Sequence, residues 1–441
     1  MSGNLVIEGG KKETMPFPDD IYSSNREDIE HIMKVLVDGK LSLFNSDEVE
    51  QFEKEFREYV GCEYCISTVN CTSALDLTIK SLELKNCGII LPAYSYAATL
   101  MPVLSNNLYP VFADINLKTF TIDMKDVRRK IAEYGNKIKA IMPVHMFGVP
   151  CDMKELMEIA CDFKLRVIED CAHSLGAKFG AHNVGFFDVG CFSFGENKIL
   201  RLGEGGMLAT NDEYLYQKAK IKRHEGEVWL KTRTSTTEHI QITPNDLLYG
   251  IDYHHIGHNF RFSALLAALG RSRLRKLNEW LIKFEKNAQY MIKNLKDIHY
   301  LRFQSSYPNA KRVYYTLAAI VDPKLADRDV FLLALAMEGV PVGVHFPMPL
   351  PDTKIYRDLF PNEKWIIRNT RFFCKHSILL PIYPSLSKNH LDYIIYSVRK
   401  IVEALEQPKR KKNINKKVRK ILSEVKVDKF FSGMYFTVER K

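Results

Sequence analysis

The sequence predicts an α/β protein: a mostly parallel central sheet with helices on both faces, followed by a smaller α/β domain. Three observations carry this. From Tyr64 to Glu169, short apolar runs alternate with helix-spaced segments, the pattern of units whose strands lie parallel. The polar residues that stand out (Asn70, Thr72, Tyr94 to Tyr96, His145, Asp170 and His173) fall just past strand ends, where open α/β sheets bind ligands. The chain, at 441 residues, is long enough for two domains sharing a large core.

In order, residues 4–18 read as an arm, with Gly9-Gly10-Lys11 as a turn and Pro16 and Pro18 as breakers. Helical spacing predicts amphipathic helices over 29–37 and 49–59, the second with Val49, Phe52, Phe56 and Tyr59 on one face. Strands are predicted over 64–69, 88–91, 110–112, 138–144, 165–169 and 191–194, and helices over 72–82, 95–104, 124–134 and 153–163. The polar stretch 227–258 follows no pattern. Beyond it come helices over 263–277 and 280–295, a strand-like run over 312–321, a helix over 329–337, a strand over 342–346 and a closing helix over 391–405. The divisions are an arm (1–25), a large domain (26–270), a small domain (271–407) and a basic tail (408–441).

Hydrophobic residues make up 46% and charged residues 26%, ordinary for a soluble globular protein. The first 18 residues lack the apolar core of a signal peptide. The longest weakly charged run, 330–347, is broken by Glu338, Gly339 and Pro341, so no membrane span is predicted. Nine scattered cysteines, an odd number, favour a reducing cytoplasm. Cys62 and Cys65 stand without a second pair and read as structural thiols. Of the net charge of +10, residues 409–441 hold twelve Lys/Arg against three Asp/Glu, which leaves one net positive charge for the rest. The body therefore carries no nucleic-acid-binding stripe.

The chemistry centres on CFSFGENKILRLGEGG, residues 191–206, where Lys198 stands between a strand end and a glycine turn. Most lysines are solvated, but one shielded in such a place has a lowered pKa and can attack an aldehyde. Upstream, LRVIEDCAHSLGA delivers Asp170 and His173 from the end of a strand. A condensing lysine together with a carboxylate for a pyridinium nitrogen is the pairing pyridoxal phosphate requires. In NCTSALDL, Thr72 and Ser73 open a helix after a strand; they can cap it, bind an anion at its N-terminus, or do both. Tyr96 follows a strand end, where its ring can stack on a flat cofactor or sit in the core. His254, His255 and His258 lack thiols or carboxylates at ligand spacing, so no metal is predicted and the segment reads as a loop near the substrate.

The order of NCTSAL, LPAYSYAAT, MPVHMFGVP, VIEDCAHSLGA, FSFGENKILRLGEGG and GHNFRFSALLAALG resembles the DegT/StrS family of sugar aminotransferases, fold-type I pyridoxal-phosphate enzymes, from the GGKK turn to about Leu405. The resemblance implies that Lys198 condenses with the aldehyde of pyridoxal 5'-phosphate, that Asp170 pairs with its ring nitrogen, and that Tyr96 stacks on the ring. It places His173, where glutamine is often found, beside the phenolic oxygen. Thr72, Ser73 and Ser193 match phosphate contacts, and Asn259 matches an asparagine donated by the partner subunit of a homodimer. Cys71 departs from the usual glycine and narrows the approach to the phosphate. The implied reaction passes nitrogen from glutamate or glutamine to a nucleotide-linked keto sugar, with a cyclitol ketone as the lesser alternative. Dehydratases of the family carry histidine in place of the lysine, so Lys198 favours transamination. A catalytically silent partner or regulatory subunit is opposed by the intact Lys198, Asp170 and His173. The tail lies outside the resemblance: PKRKKNINKKVRK is predicted to be poorly ordered, VKVDKFF and MYFTVE to be able to pair as strands, and the whole to be dispensable for chemistry.

Overall fold

The computed structural model describes residues 4–12, 15–18, 25–229 and 251–424. Two helices precede the sheet: α1, Arg26–Asp38, capped by the Asn25 side chain, and α2, Glu48–Val60. The 3–4 spacing of Val49, Phe52, Phe56 and Val60 makes one buried face on α2. Phe52 and Phe56 meet Phe194 edge-on at 5.5 and 5.4 Å, so α2 braces the strand leading to Lys198.

Seven strands form the central sheet: β1 Tyr64–Thr68, β2 Gly88–Pro92, β3 Tyr109–Ala113, β4 Ile138–Ile141, β5 Arg166–Asp170, β6 Val189–Ser193 and β7 Gly206–Thr210. Their order is β1-β7-β6-β5-β4-β2-β3. Only β7 runs against its neighbours, so the sheet is mostly parallel. Its strands are almost entirely buried, as expected of a sheet covered on both faces. The covering helices include α3 Cys71–Ser81, α4 Ala97–Ser105, α5 Met124–Tyr134, α6 Met153–Phe163 and α7 Glu213–Lys222.

The smaller part is built on α8, Ala264–Leu295, and an antiparallel sheet of β8 Leu301–Phe303, β9 Leu317–Val321 and β10 Ser377–Leu380. Around it lie α9 Arg328–Glu338, α10 Lys354–Leu359, α11 Arg368–His376 and α12 Lys388–Glu406.

Three expectations are corrected. The two helices predicted over 263–295 are one, because Asn278 and Glu279 only interrupt the apolar stripe on its exposed side. It spans residue 270, where the sequence sets the division between the large and small domains. Residues 342–346 form no strand; Gly343 makes a lone bridge to Leu379. Residues 408–420, predicted to be poorly ordered, lie in a helix, α13 Pro408–Glu424, because Ile414 and Val418 give it an apolar face to bury. VKVDKFF and MYFTVE lie outside the described residues.

Candidate active site

The site forms along one edge of the central sheet. Thr68, Gly206 and Ser193 lie abreast on β1, β7 and β6, and Asp170, at the end of β5, faces Cys191. The glycine turn beyond Lys198 passes so close to α3 that a Cβ on Gly206 would stand 2.4 Å from the Asn70 carbonyl carbon, so only glycine fits. Sheet and turn thus bring together the lysine loop, the Asp170 strand and the start of α3.

That helix is capped by Asn70, whose side chain accepts from the Ser73 N–H at 2.9 Å. Capping therefore does not use Thr72 or Ser73, and neither hydroxyl has a partner among the described residues. Both stand at a helix N-terminus, where free N–H groups and the dipole favour an anion. Ser193, on the neighbouring strand, only accepts from the Gly195 N–H at 3.4 Å. Cys71, 6% exposed, is accommodated in the first turn of α3; burial and Asp170 push its thiol pKa up.

Asp170 is 4% exposed. One oxygen accepts from the Thr99 hydroxyl at 2.8 Å and the other from the Ala172 N–H at 3.1 Å. Thr99 is held in turn by Ser95 at 2.6 Å. Burial raises the Asp170 pKa, opposed by Thr99, Ala172 and Lys198. Tyr96 stands at the N-terminal boundary of α4, one turn before Thr99, makes no side-chain capping bond, and is 64% exposed; it is not a core tyrosine.

Lys198 is half-buried as a residue; its amine has no hydrogen-bond partner among the described residues and lies 5.2 Å from the centre of the Tyr315 ring. Desolvation lowers its pKa, opposed by Asp170 and Cys71. His173 stacks on the other reach of this group, 4.0 Å from Tyr315 with planes 10° apart. Its Nε2 lies 3.2 Å from Nε2 of His345, while its Nδ1 is buried without a partner among the described residues. Burial holds both imidazoles neutral; His345 is pushed down to about 3. Phe147, near-parallel to His173 at 6.0 Å, adopts a left-handed φ of 54°.

Two groups of sequence candidates do not join the site. His145 is fully buried, with Nε2 3.0 Å from Glu169 and Nδ1 accepting from the Cys151 N–H at 3.0 Å. Both ring nitrogens are spent on holding strand ends together, so placement after β4 did not make it a ligand. His254, His255 and His258 do not gather: His254 meets Asp252 at 3.1 Å and His258 stacks on Phe260. Asn259 is exposed and bridges to His224. Sequence reasoning missed Thr99, Phe147, Tyr315 and His345. The last two come from the smaller part of the chain, and no local pattern marks them.

The sequence model of the DegT/DnrJ/EryC1/StrS aminotransferase family matches residues 23–399. The GDP-perosamine synthase of Escherichia coli O157:H7 is 30% identical over 79% of this chain and 89% of its own length. The dTDP-3-amino-3,6-dideoxy-alpha-D-galactopyranose transaminase of Aneurinibacillus thermoaerophilus is 28% identical over 80% of this chain and 90% of its own. Among solved structures, S. venezuelae DesV matches with a TM-score of 0.76 at 25% identity, covering 86% of this chain and 94% of DesV. Helicobacter pylori PseC, an aminotransferase involved in the biosynthesis of pseudoaminic acid, matches with a TM-score of 0.76 at 25% identity, covering 86% and 97%.

Proposed function

The chain belongs to the DegT/DnrJ/EryC1/StrS aminotransferase family and is an aminotransferase; from that premise we propose that it moves the amino group of glutamate or glutamine to the keto group of a nucleotide-linked sugar, using pyridoxal 5'-phosphate. The observation that carries this is a single sheet edge holding a lysine amine, a buried carboxylate and a helix N-terminus with two hydroxyls, the amine and both hydroxyls being without a hydrogen-bond partner among the described residues. The residues fit the cofactor. The orphaned, buried Nδ1 of His173 calls for a polar partner, and the exposed Tyr96 ring is available for stacking. Thr72, Ser73 and Ser193 would hold the phosphate, Asp170 the ring nitrogen, and Lys198 the aldehyde carbon.

When bound, pyridoxal phosphate supplies an aldehyde that condenses with amines and a ring that accepts the electrons of a broken Cα–H bond. Asp170, fixed by Thr99 and Ala172, keeps a negative charge where a protonated ring nitrogen needs one. Desolvation of Lys198 raises the fraction of neutral amine, which serves both as nucleophile and as the base taking the donor's α-proton at Nζ. The donor ends as a keto acid and the sugar ketone as an amine. The sugar substrate is inferred from relatives named for GDP- and dTDP-linked amino sugars. A reducing cytoplasm suits nine free cysteines, and among the described residues no helix is long and apolar enough to cross a membrane.

We read the working unit as a homodimer with Asn259 completing the partner's site. In support, α1 exposes Ile29, Met33, Leu36 and Val37 on one side, continued by Leu41 and Phe44. Phe44 in turn touches His224, the bridge partner of Asn259. An apolar strip of this kind marks an interaction face.

The test is direct. Purified protein should be yellow, and borohydride should attach the cofactor covalently to Lys198. Lys198→Ala should still bind the cofactor but lose the covalent adduct and turnover together. Lys198→Arg should fail as well, since a guanidinium stays protonated. An adduct on another lysine, or undiminished turnover by Lys198→Ala, would refute the assignment. Turnover against nucleotide keto sugars, read by product mass, identifies the acceptor.

A further inference from the structure

We propose that the outer face of α13 is a docking surface for an anionic lipid bilayer. This helix lies beyond the residues matched by the family and carries eight Lys/Arg against one acidic residue. Its inner side is closed. Ile414 and Val418 are buried, Arg410 pairs with Glu8 at 2.5 Å, and the Lys411 ammonium donates to the Lys324 carbonyl at 2.9 Å.

These contacts fix the helix's rotation. Lys409, Lys412, Lys416 and Arg419, three or four residues apart, form an exposed stripe along the opposite side, and none has a partner among the described residues. The ten residue steps from Lys409 to Arg419 make the stripe about 15 Å long. Like charges at this spacing repel one another and disfavour the helix, a cost that a plane of negative charge would offset. The rest of the chain is nearly neutral in net charge, so most of the molecule's excess positive charge lies at this end.

The shape favours a surface over a groove. Anchored to the body by its inner face, α13 cannot enter the major groove of DNA as a free helix does. No aromatic residue interrupts the stripe to stack on bases. Leu422, an apolar side chain, is exposed at the end of the helix, a residue type suited to the membrane interface.

The experiment is cosedimentation of the full chain with vesicles of phosphatidylcholine, with and without about one-third phosphatidylserine. Binding should require the anionic lipid and fall about tenfold or more in high salt, as juxtaposed basic residues lose their attraction by screening. The triple variant Lys412→Glu, Lys416→Glu, Arg419→Glu should lose binding by about tenfold or more while keeping its melting temperature and turnover. The matching Gln triple should fall between it and the parent. Equal sedimentation of parent and Glu triple, or no binding to phosphatidylserine vesicles, overturns the proposal. Binding of duplex DNA in place of the vesicles also overturns it, assigning the stripe to nucleic acid.

Discussion

Asp170 is held in a state that function wants and folding does not. Its carboxyl is almost wholly buried, and desolvation raises its pKa despite the Thr99 and Ala172 bonds. A carboxyl group whose folded pKa lies above its unfolded value binds more protons folded than unfolded in that interval. Stability is therefore lost as pH rises from the unfolded value through the folded one, and the loss persists at neutral pH. Asp170→Asn keeps an acceptor for the Ala172 N–H and removes the charge. The cofactor-free variant should melt on the order of 2 °C higher than the parent at pH 7, the gap narrowing as pH falls through the raised folded pKa and gone below about 4. Its cofactor affinity should drop. A variant melting lower at pH 7 and no lower in acid would refute the linkage. Asp170 and Lys198 were legible in the sequence because a strand end and a glycine turn fix where such residues can lie. His145 was misread by the same rule: its position after β4 was right, but strand placement alone does not say that both ring nitrogens are taken by Glu169 and Cys151.

At the scale of elements, the turn carrying Phe147 shows how the smaller part of the chain reaches the site. Phe147 and Gly148 both have positive φ, at 54° and 86°, a costly setting for phenylalanine. The turn is held from outside: the Gln304 amide donates to the Met146 carbonyl at 2.9 Å and the Thr119 carbonyl at 2.6 Å, while the Gln304 side-chain oxygen accepts from Arg312 at 2.9 Å. Gln304 is buried, so Gln304→Ala should remove these side-chain bonds, leave the Met146 carbonyl with only the Val149 N–H, and cost about 1–3 kcal/mol. Because Phe147 lies against His173, cofactor affinity should weaken too. Urea melts and cofactor titration check both; unchanged stability would mean that the turn holds itself. Most of the βα units were legible from their apolar period, with helices 124–134 and 153–163 placed to the residue. The element β7 was not, because it follows the glycine turn directly and its five buried residues read as part of it. The ties from Gln304 and Arg312 left no trace, since they span more than 150 residues and obey no period.

For the whole molecule, the charge sum that set the tail apart correctly located a boundary in composition but not one in packing. Truncation before Lys409 removes Ile414, Val418 and the Arg410–Glu8 pair from a shared surface with α9 and α12. Each buried aliphatic side chain contributes about 1.5–3 kcal/mol, so this truncation should lower stability measurably while sparing turnover per folded molecule. Truncation after Glu424 retains the packed helix and gives the comparison: equal melting temperatures for the two would show the α13 contacts to be without weight. The assembly poses the larger question, because no described contact brings Asn259 to the Lys198 site within one chain. The apolar strip on α1 leads towards Asn259 from the outside, which is what donation to a neighbouring copy requires. In a symmetric dimer, a subunit with Asn259→Ala and Lys198 intact can be paired with one carrying Lys198→Ala and Asn259 intact. Half of the sites in such a mixed dimer then combine both intact residues, and the other half neither. Mixing two nearly inactive proteins should therefore restore turnover, in a mixed population up to about one quarter of the parental value. Absence of recovery, with subunit exchange verified by tagged copies, would return Asn259 to its own chain and leave the strip on α1 to another partner.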